Sequence, residues 1–182
     1  MNYPNSIKKS YSKKVDYGNR GMDLENLINI SSDNYIDNEK AIIYKKPTPI
    51  QIVKYDYEKN RIVDAFYKTQ STLDYNGIYK GRYIDFEAKE TNNLQCFPLE
   101  NIHKHQIKHL ENITKENGIG FIIVRFVKLN KTFLLYAKDL LNFINSNERK
   151  SIPLAYFEKY GYLIKESYLP RLDYLEIIDS EV

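Results

Sequence analysis

The sequence predicts an α/β protein in which a mixed β-sheet is flanked by helices. Three observations carry this. Stretches of helical and strand periodicity follow one another in the order helix, strands, helix, strands, helix. Residues 83–89 alternate apolar and polar side chains with the two-residue period of a strand. Phe121 to Val124, with Phe126, form an almost unbroken apolar run, which marks a central strand.

Each element has its own local cause. After Tyr17-Gly18-Asn19-Arg20-Gly21, the residues Leu24, Leu27, Ile28 and Tyr35 recur at helical spacing, giving an amphipathic helix over 22–37. Ala41 to Tyr44 reads as a short buried strand that stops at Pro47-Thr48-Pro49, where two prolines exclude a central strand. Residues 50–69 are rich in β-formers on either side of Glu58-Lys59-Asn60-Arg61, and read as an excursion from the core. A second β unit starts at Asp74, with Asn76-Gly77 and Lys80-Gly81 as turn signals, and leads into the alternating strand. Pro98 opens a helix whose stripe is Leu99, Ile102, Gln106, Leu110 and Ile113, ending near Gly118. The apolar strand turns at Leu129-Asn130-Lys131 into a partner over 132–137, and Leu140, Leu141, Phe143 and Ile144 make a short helix. The last stretch holds a tyrosine-rich helix and a final strand around 174–178.

Composition narrows the function classes. At 182 residues with 42% hydrophobic and 28% charged residues, the chain can form one ordinary core and is not disordered. No apolar run approaches the roughly 20 residues of a membrane helix, and the N-terminus shows no apolar leader, so a cytoplasmic location is expected, associated with the nucleoid, with no membrane partner. One cysteine, Cys96, and three histidines cannot make a disulfide scaffold or a thiolate-rich zinc site. His105 and His109 are four apart on a helix, but no third ligand accompanies them, so a phosphate contact or a partly exposed position suits them better. The net charge is only +3, yet Lys8, Lys9, Lys13, Lys14 and Arg20 crowd the first 20 residues against Asp16. Residues 1–16 read as a basic, mobile arm, a form shared by nucleic-acid contacts and plain solvated tails.

Chemistry concentrates in residues 71–90, where acids lie between cations. Glu87 and Lys89, two apart on a strand, point to the same face, and Asp74, thirteen residues upstream, can return beside Glu87 through a turn. Two carboxylates there would share a divalent ion; Mg²⁺ suits such a site, with Mn²⁺ as a substitute, and Lys89 would stabilise charge on a phosphate in transfer. The same Asp-x-Glu-x-Lys spacing is also that of a solvated antiparallel face. Gln106 argues for chemistry, because an amide in the middle of an apolar stripe needs a polar partner such as a metal-bound water or phosphate. Lys45, Lys46, Lys80 and Arg82 surround the acids in sequence, as suits a polyanion, and Glu25 offers a further carboxylate on the first helix.

Residues 17–22, 45–53, 74–91, 97–99 and 105–107 together resemble the RecU family over nearly the whole chain. These are Holliday junction resolvases of low-GC Gram-positive bacteria, with a restriction-endonuclease-like nuclease core. The resemblance implies that Thr72, Asp74, Glu87 and Gln106 ligate Mg²⁺, Thr72 and Gln106 through water or backbone, and that Lys89 is the transition-state stabiliser. It makes residues 17–182 one nuclease domain and residues 44–70 a stalk that enters the junction centre. Glu25 resembles the acid on the first helix of related nucleases. The implied activity is paired, symmetric nicking of four-way junction DNA in recombination and repair by a C2 homodimer, because a two-fold substrate needs two sites related by a dyad. Arg20, Lys45, Lys46, Lys80, Arg82 and the arm would hold phosphates, with recombinase and branch-migration proteins as further partners. Two rivals stand beside this reading. One is a non-catalytic junction-binding or strand-annealing accessory protein that modulates a recombinase; the other is a sequence-specific restriction endonuclease of the same fold.

Overall fold

A computed structural model describes residues 23–68 and 72–180. The N-terminal arm and Arg20 lie outside the described residues. Helix α1 (Leu24–Asp37) starts where the Asp23 side chain accepts the Asn26 N–H, and buries Leu24, Leu27, Ile28 and Tyr35 on one stripe. Strand β1 (Ile42–Lys45) then leads through the prolines into a hairpin of β2 (Ile50–Asp56) and β3 (Arg61–Tyr67). These two pair only with each other, as a separate two-stranded sheet. The excursion read from the sequence is therefore present as an isolated ribbon.

The main sheet has six strands: β1, then β4 (Tyr75–Tyr79), β5 (Arg82–Thr91), β7 (Ile119–Phe126), β8 (Lys131–Tyr136) and β10 (Tyr162–Ile164), in that spatial order. Only β5 and β7 are parallel; the other neighbours are antiparallel, so the sheet is mixed. The parallel pair needs a crossover, which α2 (Lys104–Lys115) supplies. Helices cover both faces. Ile84, Phe86 and Ala88 of β5 join the core under α1 and α5 (Tyr174–Asp179), where the rings of Tyr75, Phe86 and Phe121 stack at 4.8 and 4.6 Å across three strands. On the other face Ile122, Val124 and Phe126 of β7 meet Leu110 and Ile113 of α2, Leu140 of α3 (Ala137–Ser146) and Phe157 of α4 (Leu154–Tyr160). A short ribbon of β6 (Cys96–Pro98) and β9 (Ser151–Pro153) closes that side. No helix among the described residues is long and apolar enough to cross a membrane.

Four local expectations are corrected. The strand over 41–44 is not a buried one: β1 is the edge of the sheet and only Ile43 of its residues is buried. Asn76-Gly77 is no turn but the middle of β4, where Gly77 lies against the Ile42 carbonyl of β1. The turn is Lys80-Gly81 alone, both with positive φ (47° and 76°), as a two-residue hairpin requires. Pro98 does not open the helix: it ends β6, a single 3₁₀ turn follows, and α2 starts six residues later, after an extended Ile102 that still reaches the core. Residues 174–178 are helical rather than extended, because Asp173 caps them and Tyr174, Leu175 and Ile178 bury a helical stripe. Among the described residues, the breaks at Pro47-Thr48-Pro49, at 58–61 and at 129–131 stand where the sequence placed them.

Candidate active site

The polar face of β5 decides between a solvated sheet and a site. Asp85 and Glu87 are both 0% exposed, because α2 packs over the face that carries them. Burying two carboxylates is costly unless each is compensated. Their compensation differs, and the difference is functional.

Glu87 is incompletely satisfied. The backbone N–H of Asp74 donates to its Oε2 at 3.2 Å, so the return of the chain from β3 to β4 does bring Asp74 beside Glu87. Lys89 Nζ lies 2.7 Å from Oε1, within ion-pair range but not aligned as a hydrogen bond, and Oε1 is left as a buried oxygen without a donor. Burial pushes the Glu87 carboxyl up to about 7; Lys89 pulls it back, and the neighbouring Asp74 carboxyl raises it again. Two carboxyl groups and one free lone pair at this depth fit a divalent ion, which would replace the missing donor and draw off the proton. Among the described residues no group of three or more His, Cys, Asp or Glu side chains gathers as a metal site.

This arrangement carries a pH prediction. A Glu87 that ligates a divalent ion must lose its proton, so the affinity for such an ion would rise with pH, by up to about tenfold per unit below about pH 7, and level off above it. Titration calorimetry in two buffers of different ionisation heat would show the released proton. A pH-independent affinity without proton release would place the ion elsewhere.

The remaining sequence candidates are arranged as follows. Gln106 is buried at 3% exposure, but its Oε1 accepts the His103 N–H at 2.9 Å, reciprocating a helix N-cap. The polar partner demanded by its place in the stripe is thus a backbone amide, which leaves Nε2 as the group able to reach a water or phosphate. Thr72 is half-buried next to the core residue Leu73. Glu25 is exposed and paired with Lys45. Lys80 pairs with Asp179 at 2.6 Å, and Arg82 donates to the Asn117 carbonyl at 3.0 Å. Lys46 is engaged more deeply, with its ammonium 2.9 and 2.7 Å from the two oxygens of Asp85.

Asp85 is the residue sequence reasoning passed over. It also accepts from the Tyr83 hydroxyl at 2.7 Å and pairs with His109 Nε2 at 2.9 Å. The signal was available: a strand with acids at steps of two faces a helix with polar residues Gln106 and His109 one turn apart.

A buried glutamate beside a half-buried aspartate and a lysine, on a mixed sheet held between helices, suits hydrolysis of phosphate esters with a divalent ion. Comparison with known proteins names the family. The family model described as "RecU: Recombination protein U" matches residues 19–180. Proteins called Holliday junction resolvase RecU are 44% identical in Streptococcus agalactiae, 46% in Streptococcus thermophilus and 49% in Pediococcus pentosaceus. These matches cover 99–100% of this chain and 96% of each relative. The chain belongs to the RecU family. A solved structure of Hjc, a Holliday junction resolvase from Archaeoglobus fulgidus, overlaps 75% of this chain and 94% of its own at 8% identity and TM-score 0.42, too loose a likeness to bear on the site.

Proposed function

We propose that this protein is an Mg²⁺-dependent endonuclease that resolves four-way DNA junctions by paired nicks, acting as a C2 homodimer on nucleoid DNA in the cytoplasm. The observation that carries the reading is the convergence of Asp74 and Glu87, with Lys89 alongside, in a chain of the RecU family. Asp74 and Glu87 would hold the ion, which would supply polarisation of the phosphate and acidify a water. Lys89, held at the rim by Glu87 and a quarter exposed, stabilises the charge that grows on the phosphate oxygens. Gln106, through Nε2, and the Thr72 hydroxyl orient water around this centre.

Residues 17–182 form one nuclease domain, and the β2–β3 hairpin is its stalk. Ile50, Ile52, Val53, Ile62, Val63 and Phe66 are all exposed on that ribbon, and Tyr57 at its tip is 87% exposed. An isolated two-stranded ribbon is marginal in water, so apolar side chains on this scale favour cover by a second subunit or by DNA bases. Lys45, Lys80 and Arg82 are the proposed phosphate contacts with Arg20; Lys46, expected among them from the sequence, is instead held by the buried Asp85. The internal partners of the first three lie at the surface, where the ion pairs of Lys45 and Lys80 and the Arg82 hydrogen bond are weak enough to be exchanged for phosphate.

The test is nicking of a labelled junction and of a linear duplex, with and without Mg²⁺. Symmetric, metal-dependent cuts in the junction alone are expected. Cleavage of the duplex would favour a restriction-type enzyme, and tight binding without cutting would favour an accessory protein. A second experiment addresses the stalk. The Lys68 N–H donates to the Pro49 carbonyl at 2.9 Å, so the base of the hairpin is closed and a short glycine-serine bridge can replace residues 50–67. The melting temperature should stay within about 3 °C, while junction affinity falls about tenfold or more, equivalent to about 1.4 kcal/mol per decade. Unchanged binding in a bridged chain that melts normally would remove the stalk from recognition.

A further inference from the structure

We propose that Asp85 is a positioning residue for the nuclease site: by holding His109 and Lys46 it sets α2 and the end of β1 against β5, and so places Gln106 and Asp74 beside Glu87. The inference rests on the endonuclease reading and deepens it.

Asp85 lies on the same buried face of β5 as Glu87 but is built for a different task. Its Oδ1 takes Lys46, and its Oδ2 takes Lys46, Tyr83 and His109, all between 2.7 and 2.9 Å. Glu87, two residues on, keeps an oxygen that meets only the Lys89 ion pair and has no hydrogen-bond donor among the described residues. One carboxylate is saturated with protein donors and the other is left open for a ligand. Asp85 is therefore no third metal ligand; its bonds tie three elements together.

The geometry of those ties reaches the site by two routes. Lys46 holds Asp85 with its side chain while its backbone N–H donates to the Asp74 carbonyl at 2.7 Å, so one residue fixes both the start of β4 and the centre of β5. On the other side, α2 connects two parallel strands and must run back against β5. From the His109–Asp85 contact, three residues back along the helix is about 4.5 Å, and two residues forward along the strand is about 6.6 Å, in the same direction. That register brings Gln106 alongside Glu87. Loss of the contact frees α2 to slide or tilt on a face otherwise held by apolar packing from Leu110 and Ile113, which restrains separation more than register.

The experiment compares His109→Leu, His109→Gln and Asp85→Asn with the native chain. Melting temperature, Mg²⁺ half-saturation of single-turnover junction nicking, the nicking rate at saturating Mg²⁺, and junction binding in EDTA are measured for each. His109 is partly exposed, so leucine there should fold, and glutamine restores an N–H donor at similar reach. For His109→Leu and Asp85→Asn, half-saturation should rise and the saturated rate fall, together by about 10–100-fold, as when the partners that orient metal ligands are removed. Junction binding in EDTA should stay within about twofold, and His109→Gln should recover most of the rate. A His109→Leu chain with native half-saturation and rate overturns the proposal, and so does a loss that glutamine does not repair. If the native chain never nicks, the endonuclease reading fails. Calorimetry of Mg²⁺ alone then judges the clamp: weaker binding in His109→Leu, restored in His109→Gln, supports it, and equal binding in all three overturns it.

Discussion

Glu87→Gln should lower junction nicking by about 10³-fold or more while raising the thermal stability of the protein. The two effects have one cause. Glu87 is fully buried, beside a second carboxyl, with an oxygen that has the Lys89 ion pair but no hydrogen-bond donor among the described residues, and its pKa is pushed up to about 7. A carboxyl that holds its proton more tightly in the folded than in the unfolded chain makes stability fall as pH rises, here between about 4.5 and about 7. Above that window the folded protein carries the whole penalty, on the order of a few kcal/mol, because each tenfold change in proton affinity is worth about 1.4 kcal/mol. Glutamine has nearly the same shape and never ionises, so it escapes the penalty. Its oxygen can still accept the Asp74 N–H, and Lys89, a quarter exposed, can turn to water. Stabilisation should therefore be larger at pH 8 than at pH 5, and Mg²⁺ should narrow the difference by stabilising the native chain alone. Melting curves at the two pH values, with and without Mg²⁺, check this beside the nicking assay. An inactive variant destabilised equally at both pH values would mean that Glu87 holds the fold rather than the ion.

The parts of the site that lie along one strand were legible in the sequence, because a strand's period of two fixes which side chains share a face. Glu87 and Lys89 follow from that rule, and the chain length back to Asp74 allows the hairpin that returns it. What covers that face is decided by tertiary packing. An Asp-x-Glu-x-Lys face reads the same in water and under a helix, and only the position of α2 buries Asp85 and Glu87. For the same reason Gln106 was recognised as needing a partner but not which one: a buried amide is equally served by a ligand and by the N–H of a helix start three residues earlier. Residues 174–178 show the limit of short apolar runs, which fit a strand or one helical turn until the Asp173 cap and the packing choose. Asn76-Gly77 failed for a third reason: glycine is required where a backbone comes close, as well as where a chain turns.

That close approach gives the largest expected loss of stability. Gly77→Ala would put a Cβ 2.0 Å from the Ile42 carbonyl oxygen and 2.8 Å from the Ile43 Cα, both backbone atoms of β1, with no flexible side chain to give way. The strand itself must move. β1 is the edge of the sheet, paired only with β4, and Gly77 sits opposite Ile43, whose side chain is fully buried against α1. Displacing it uncovers that contact as well as bending the ladder. Overpacking of this kind costs about 1–3 kcal/mol where side chains can adjust, and the upper end applies to a backbone clash. For a chain of this size about 3 kcal/mol lowers the melting temperature by about 6–12 °C. The consequence does not stop at stability. β1 runs directly into Lys45, paired with Glu25, and Lys46, which holds Asp85 and the Asp74 carbonyl. A folded Gly77→Ala chain should accordingly show weaker Mg²⁺ half-saturation at temperatures well below its melting point, although residue 77 touches neither ion nor DNA. A variant that melts like the native chain would mean that β1 tolerates the displacement. A destabilised variant with native metal dependence would separate the edge strand from the site.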